Sequence, residues 1–206
     1  MTQTKRLNDS AAARWLALII VSFTMMCGYF ITDVMAPLED LLTKAPAEGG
    51  LGWTSDDYGF FSGAYGYINV FLLMLFFGGI ILDKCGIRFT GVISCALMLA
   101  GALLKWYAID NSFGDATLAG YPMQVALAAL GFAIFGMGAE ITGITVSKVI
   151  VKWFTGHELA LAMGLQLAIA RFGTATAILI APMIVKQKAL GEMYSLAETN
   201  RPALIG

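Results

Sequence analysis

The sequence predicts an all-α, polytopic membrane protein, and three observations carry that prediction. Of its 206 residues, 58% are hydrophobic and only 13% are charged. Mean hydropathy is +0.75, more apolar surface than a soluble domain of this size can bury. The apolar residues are gathered into runs of roughly 20 residues or more, the length that crosses a bilayer. A net charge of −1 offers nothing to attract a nucleic acid, and no such partner is expected. Cys27 and Cys95 fall inside apolar runs and Cys85 in a short turn, so all three are read as small packing residues. No spacing suits a zinc or haem site, so neither a metal nor a cofactor is expected.

The first 13 residues are polar and include Lys5 and Arg6; Asn8-Asp9-Ser10 matches a glycosylation sequon that a cytoplasmic position would silence. The first span covers about 14–36, and Pro37 marks its exit. It is longer than a signal-peptide core and lacks a small-residue cleavage site, so it is expected to be retained. After a loop rich in Gly, Pro and acids, Thr54-Ser55-Asp56-Asp57 has the pattern of a helix N-cap with acids in the first turn. It opens a second span over about 58–82. A tight charged turn from Asp83 to Arg88 leads to a third span, about 89–109. A polar loop with Gly114 and Gly120 precedes Pro122 and a fourth span, about 123–151. The turn around His157, expected to be solvated, joins it to a fifth span, about 159–185. Residues 186–200 are polar, with room for a short surface helix. From Arg201 the chain reads as the entry to a sixth span, which suggests a fragment.

Basic residues suggest the orientation. With the N-terminus inside, the inner segments hold Lys5, Arg6, Arg14, Lys84, Arg88, Lys148 and Lys152. The outer ones hold Lys44, Lys105, Lys186, Lys188 and Arg201 against a larger set of acids. The bias favours a cytoplasmic N-terminus.

Two charges stand inside apolar runs. Glu140 lies about 12 residues before Lys152 and Arg171 about 14 after His157, so at ~1.5 Å per residue both sit roughly 18–21 Å from the turn. If the two runs are antiparallel neighbours, acid and base share one depth near the middle of a bilayer. A charge there costs at least about 3 kcal/mol on insertion scales. Either the two pair as a structural bridge, or they meet a polar guest. A zwitterion suits them: Arg171 can grip a carboxylate as a bidentate fork and Glu140 can accept from an ammonium. Tyr29, Tyr65 and Tyr67 are read first as packing or interface anchors and alternatively as cavity lining, with Tyr65 taken into the candidate site. Asp33, near the outer end of the first span, has a solvated interfacial acid as its plain reading. Gly131, Gly136, Gly138, Gly143, Gly164 and Gly173 crowd the fourth and fifth spans, where close helix packing is expected. No Ser/His, paired Asp or His-rich set occurs within the spans, so no enzyme is expected.

The turn GGIILDKCGIR resembles the signature of the major facilitator superfamily. Gly79, Asp83, Lys84, Gly86 and Arg88 match it, with Ile87 where a further basic residue is usual. The physics suits a cytoplasmic gate: Gly79 would admit a neighbouring helix and Gly86 a tight turn. Asp83 and Arg88 are placed to pair and to cap a helix end from the other half of a transporter. The segments YGYINVFLLMLFFGGIILDKCGIR, FGMGAEI and VKWFTGHELALAMGLQLAIARFG narrow the resemblance. They are similar to the branch that contains the lysosomal dipeptide uniporter of the superfamily and its bacterial relatives.

The resemblance implies the N-terminal six-helix half of the fold, here five full spans plus the start of a sixth over residues 1–206, with a C-terminal bundle beyond. It places Glu140 and Arg171 on the acid and base that hold the termini of a dipeptide, and Asn69 and Asp33 on polar positions. Many members carry an Arg near the start of the fourth span, where this chain has Phe132, which favours facilitated diffusion over tight proton coupling. The function expected is a secondary-active or facilitative transporter working by alternating access on dipeptides. The alternatives are another small organic zwitterion or anion, or a membrane scaffold that moves nothing. The partners expected are the substrate, the lipid bilayer and the C-terminal half. With no acidic dileucine signal and no sequon in an outer loop, a bacterial inner membrane is favoured over a lysosomal one.

Overall fold

The computed structural model describes residues 10–48, 50–71 and 74–199, with side chains described as far as residue 186 apart from that of residue 47. Lys5 and Arg6, the Asn8 sequon and the expected sixth-span entry at Arg201 lie outside the described residues. α1 (Ala11–Asp33) is followed by two 3₁₀ turns that flank a short α2 (Glu39–Thr43). Then come α3 (Ser55–Phe71), α4 (Met74–Asp110), a minimal hairpin of β1 (Thr117–Leu118) and β2 (Tyr121–Pro122), α5 (Met123–Phe154) and α6 (Leu159–Thr199). Among the described residues, four segments are long and apolar enough to cross a membrane: Ala11–Thr43, Met74–Asp110, Met123–Phe154 and Leu159–Lys186.

The local signals in the sequence act as expected where they are strongest. Thr54 caps α3 through a reciprocal box: the Asp57 N–H donates to Thr54 Oγ1 at 3.1 Å, and the Thr54 N–H donates to Asp57 Oδ2 at 2.9 Å. At Gly86 the backbone leaves the helix with φ 82° and ψ 168°, a conformation open in practice only to glycine. The chain reverses there. Before it, residues 61, 65, 78 and 83 meet residues 132, 136, 141 and 148 in rising order. After it, residues 91, 94 and 101 meet 145, 138 and 131 in falling order. α4 is therefore two passes joined at the charged turn. α3, on the other side of residues 72 and 73, runs in the direction of the first.

α5 is the axis of the molecule. In its most apolar stretch 67% of residues are buried, against 17–22% in the other three membrane-length segments. Small residues make this possible: a Cβ on Gly131 or Gly138 would strike the backbone of α4, and one on Gly136 the backbone of α3 at Tyr65. Phe61, Phe132, Phe135 and Val125 fill the space between α3 and α5. The outward faces carry Leu16, Phe23, Val92, Leu99, Trp106 and Leu179, all more than half exposed, as lipid-facing surfaces are.

Four features depart from the sequence reading. α6 does not lie beside α5 as an antiparallel neighbour; it packs along α1, because Gly173 sits directly against the α1 backbone at Met26 and Phe30. α5 and α6 share only a small cluster with α1 near their turn, with Phe154 and Ala162 in it. The backbone of α6 also runs on as helix to Thr199 rather than ending in a loop, in keeping with the good helix formers after Val185. The loop before α5 closes as a hairpin whose turn residues, Ala119 and Gly120, both have positive φ. Finally, Cys85 and Cys95 are exposed and do not fill the interior, while Cys27 is half-buried.

Candidate functional site

The pattern of contacts divides the helices into two groups. α1 and α6 form one pair; α3, α4 and α5 form the other group, and the two meet along a thinner seam. The cleft lies on that seam. It offers about 80 Å³ of accessible space, partly open to solvent, between Met25, Gly28, Tyr29 and Thr32 of α1 and Tyr65, Met98, Ala139, Glu140, Thr142 and Gly143 of the other group.

Glu140 is half-buried, and its Oε1 accepts a hydrogen bond from Tyr65 Oη at 2.9 Å. Gly136 makes this contact possible by letting the α3 backbone at Tyr65 lie against α5, one turn before Glu140. Across the seam, the Arg171 guanidinium stands 4.9 Å from the centre of the Tyr29 ring, and Tyr29 lines the cleft. Glu140 and Arg171 form no ion pair with each other; each is held by a tyrosine on its own side. The bridge that the sequence allowed is thus absent, because α6 has gone to α1 and not to α5. Asp33 accepts a bond from Thr174 Oγ1 at 2.6 Å, which ties α1 to α6 one turn beyond the Tyr29–Arg171 contact. It is half-buried, not a freely solvated surface acid.

Asn69 stands apart from the cleft wall. Its Nδ2 donates to the Tyr65 carbonyl at 2.7 Å, while its Oδ1 is buried with no partner. It therefore braces the turn of α3 that presents Tyr65. Tyr67 is exposed and packs beside Phe60, away from the cleft.

The turn at the opposite end differs in detail from its sequence reading. Asp83 pairs with Lys148 of α5 at 2.5 Å, not with Arg88, and Lys148 Nζ also reaches the Leu82 carbonyl at 3.4 Å. The reversal at Gly86 comes between the two residues, and Arg88 and Lys84 are left exposed. The glycine that admits a neighbour is Gly78, whose added Cβ would lie 3.0 Å from Ile141; Gly79 has nothing within 4 Å. His157 is exposed in its turn, as expected.

The sequence places Lys105 among the bases of the outer segments. The structure buries it, at 5% exposure. Its Nζ donates to the Ile31 carbonyl at 3.1 Å and lies 4.9 Å from the centre of the Phe132 ring and 5.7 Å from that of Phe135. Gly101 and Gly131 bring the backbone of that turn of α4, at Lys105 itself, directly against α5. The small residue four before Lys105 was the available signal. At the position where the sequence showed an apolar Phe132 in place of a base, a cation does stand, supplied by the neighbouring helix.

The sequence model of the Major Facilitator Superfamily matches residues 18–189. The lysosomal dipeptide transporter MFSD1 of Bos taurus is 28% identical over 191 residues, covering 92% of this chain and 35% of that protein. The human protein of the same name is 29% identical over 197 residues, 95% of this chain and 36% of its own length. A probable anion transporter 2, chloroplastic, from Oryza sativa subsp. japonica is 26% identical over 151 residues, 73% of this chain and 25% of its own. The chain thus spans about a third of the length of the MFSD1 relatives. No solved structure matches significantly. With a predominantly helical, multi-pass arrangement and a family match over most of its length, the chain belongs to the major facilitator superfamily.

Proposed function

We propose that this chain is the N-terminal bundle of a transporter, not an enzyme, that moves dipeptides by alternating access. In this reading it crosses the membrane five times, over about 14–36, 58–82, 89–109, 123–151 and 159–185, with a sixth crossing beginning near 201. The N-terminus is cytoplasmic, the membrane a bacterial inner membrane, and a C-terminal bundle completes the path. The observation that carries the proposal is a cleft on the seam lined by Glu140 and Tyr65 on one side and by Tyr29 on the other, with the exposed Arg171 stacked against Tyr29. A dipeptide ammonium meets the Glu140 carboxylate, its carboxylate meets the Arg171 fork, and its side chains lie loosely against Met25 and Met98. Holding the termini leaves side-chain identity free. The names of the MFSD1 relatives point the same way.

A second reading is favoured by the exposure of Arg171: an organic anion needs only that base, and the rice relative is named an anion transporter. Uptake of a labelled dipeptide into proteoliposomes containing the full-length protein separates the two. Dipeptide uptake that falls roughly tenfold or more in both Glu140→Ala and Arg171→Ala supports the first reading. Loss in Arg171→Ala alone, with an organic anion taken up and no dipeptide, supports the second. Equal uptake by all three proteins removes the pair from the mechanism, and no uptake of either solute favours a scaffold.

A further inference from the structure

The cleft lies between two groups of helices that touch little, so something has to set the width of the seam. The α1 and α6 pair is internally tight, through Gly173 against the α1 backbone and Thr174 bonded to Asp33. The α3–α5 group is internally tight, through Gly101, Gly131, Gly136 and Gly138. Beside the cleft two thioether methyls stand against glycines across the seam: Met98 Cε would meet a Cβ on Gly28 at 3.0 Å, and Met25 Cε one on Gly143 at 3.8 Å. Methionine side chains are soft and fill a gap without defining it.

Lys105 is the exception. Its ammonium leaves α4, passes over Phe132 and bonds to the Ile31 carbonyl, in the last turn of α1. The last carbonyls of a helix lack partners within it and carry the negative end of its dipole, so a cation there satisfies both needs. Among the described residues no carboxylate pairs with it. The burial of a charge in an apolar interior without a counter-ion is unfavourable unless its hydrogen bonds are kept, so the Ile31 carbonyl and the two rings are not readily exchanged for other surroundings. Ile31 lies two residues after Tyr29 and two before Asp33. The same bond therefore fixes the turn of α1 that presents both.

We propose that Lys105 is a positioning residue: by tying the end of α1 to the α3–α5 group it sets the gap between Arg171 with Tyr29 and Glu140 with Tyr65, and so the length of zwitterion that fits. The role in substrate fit rests on the reading of the cleft as the substrate site; the role across the seam does not. Removal of the ammonium leaves this end of the seam held by apolar contacts alone, while the cluster of Leu18, Val146 and Phe154 still joins the groups at the other end, and lets the two groups drift apart around the cleft.

The test uses the full-length protein without Cys27, Cys85 and Cys95, spin-labelled at the exposed positions Ala36 and Leu103, in lipid nanodiscs. Lys105→Met is compared with Lys105→Arg, which keeps a donor. The Ala36–Leu103 distance distribution is expected to widen in Lys105→Met and to return close to native in Lys105→Arg. In uptake, Lys105→Met is expected to raise KM for a dipeptide roughly tenfold with little change in the maximal rate. A distance distribution in Lys105→Met indistinguishable from native overturns the proposal whatever the uptake shows. A widened distribution in a protein that carries no dipeptide even in native form leaves the seam role standing and sinks only the dipeptide reading. If Lys105→Met does not fold, Lys105→Ala removes the ammonium and with it the bond to the Ile31 carbonyl, and leaves an apolar interior. Widening is again expected, and its absence there counts against the proposal equally.

Discussion

Tyr65 Oη donates to Glu140 Oε1 at 2.9 Å, a bond between residues 75 positions apart that joins α3 to the central helix at the wall of the cleft. A hydrogen bond to a carboxylate contributes more than a neutral one, on the order of 1.5–3 kcal/mol. It also fixes which way the carboxylate faces. Tyr65→Phe is therefore expected to raise KM for a zwitterion by roughly tenfold while the protein stays folded, measured by uptake and by thermal melting side by side. An unchanged KM would show that Glu140 needs no orienting partner.

The left-handed turn makes a sharper stability test. Gly86 has φ 82° and ψ 168°, so Gly86→Ala is expected to destabilise the purified protein by about 1–3 kcal/mol. Gly79→Ala, with nothing within 4 Å of the added carbon, is expected to be close to neutral in this bundle and to gain a little helix propensity. Equal melting temperatures for both variants would contradict the reversal at Gly86.

Close approach gives a second contrast. Gly173→Ala drives a carbon into the α1 backbone at Met26, which cannot move aside as a flexible side chain can. Overpacking of this kind costs about 1–3 kcal/mol or more, so a marked loss of folded yield is expected. Gly164→Ala, five residues after the start of the same helix, meets nothing and is expected to be tolerated. Fluorescence-detected size-exclusion profiles of the two variants check this.

The ion pair at the turn is expected to matter little for stability. The Lys148 side chain is 40% exposed and that of Asp83 77%, so solvent screens the pair. A double-mutant cycle with Asp83→Asn and Lys148→Met should give a coupling of roughly 0–1 kcal/mol in thermal or denaturant unfolding. A coupling of several kcal/mol would mean that the pair is shielded in the complete protein. If the pair gates access, transport rates rather than melting temperatures will respond.

Much of the architecture was legible along the chain because its signals are local. Apolar runs report that a segment belongs in lipid, Thr54 with Asp57 reports a helix start, and Gly86 between Asp83 and Arg88 reports a reversal. Each needs only a few neighbouring residues to be read. The charges of the candidate site were legible for the same reason, since Glu140 and Arg171 stand out against apolar surroundings. Their partners were not. The Asp83–Lys148 and Tyr65–Glu140 contacts join residues 65 and 75 positions apart, and nothing in the local pattern announces them.

By itself, then, the sequence determined the helical class, the main reversals and the charges that have to be accounted for inside the membrane. Only the tertiary structure decided that α6 lies along α1, that the acid and the base belong to different helix groups instead of bonding, and that Lys105 is buried. The physical reason is that hydropathy records whether a helix leaves water but is almost blind to which helix it then touches. That choice depends on where small residues such as Gly101, Gly131 and Gly173 allow backbones to meet, and this is settled only when all the faces pack together.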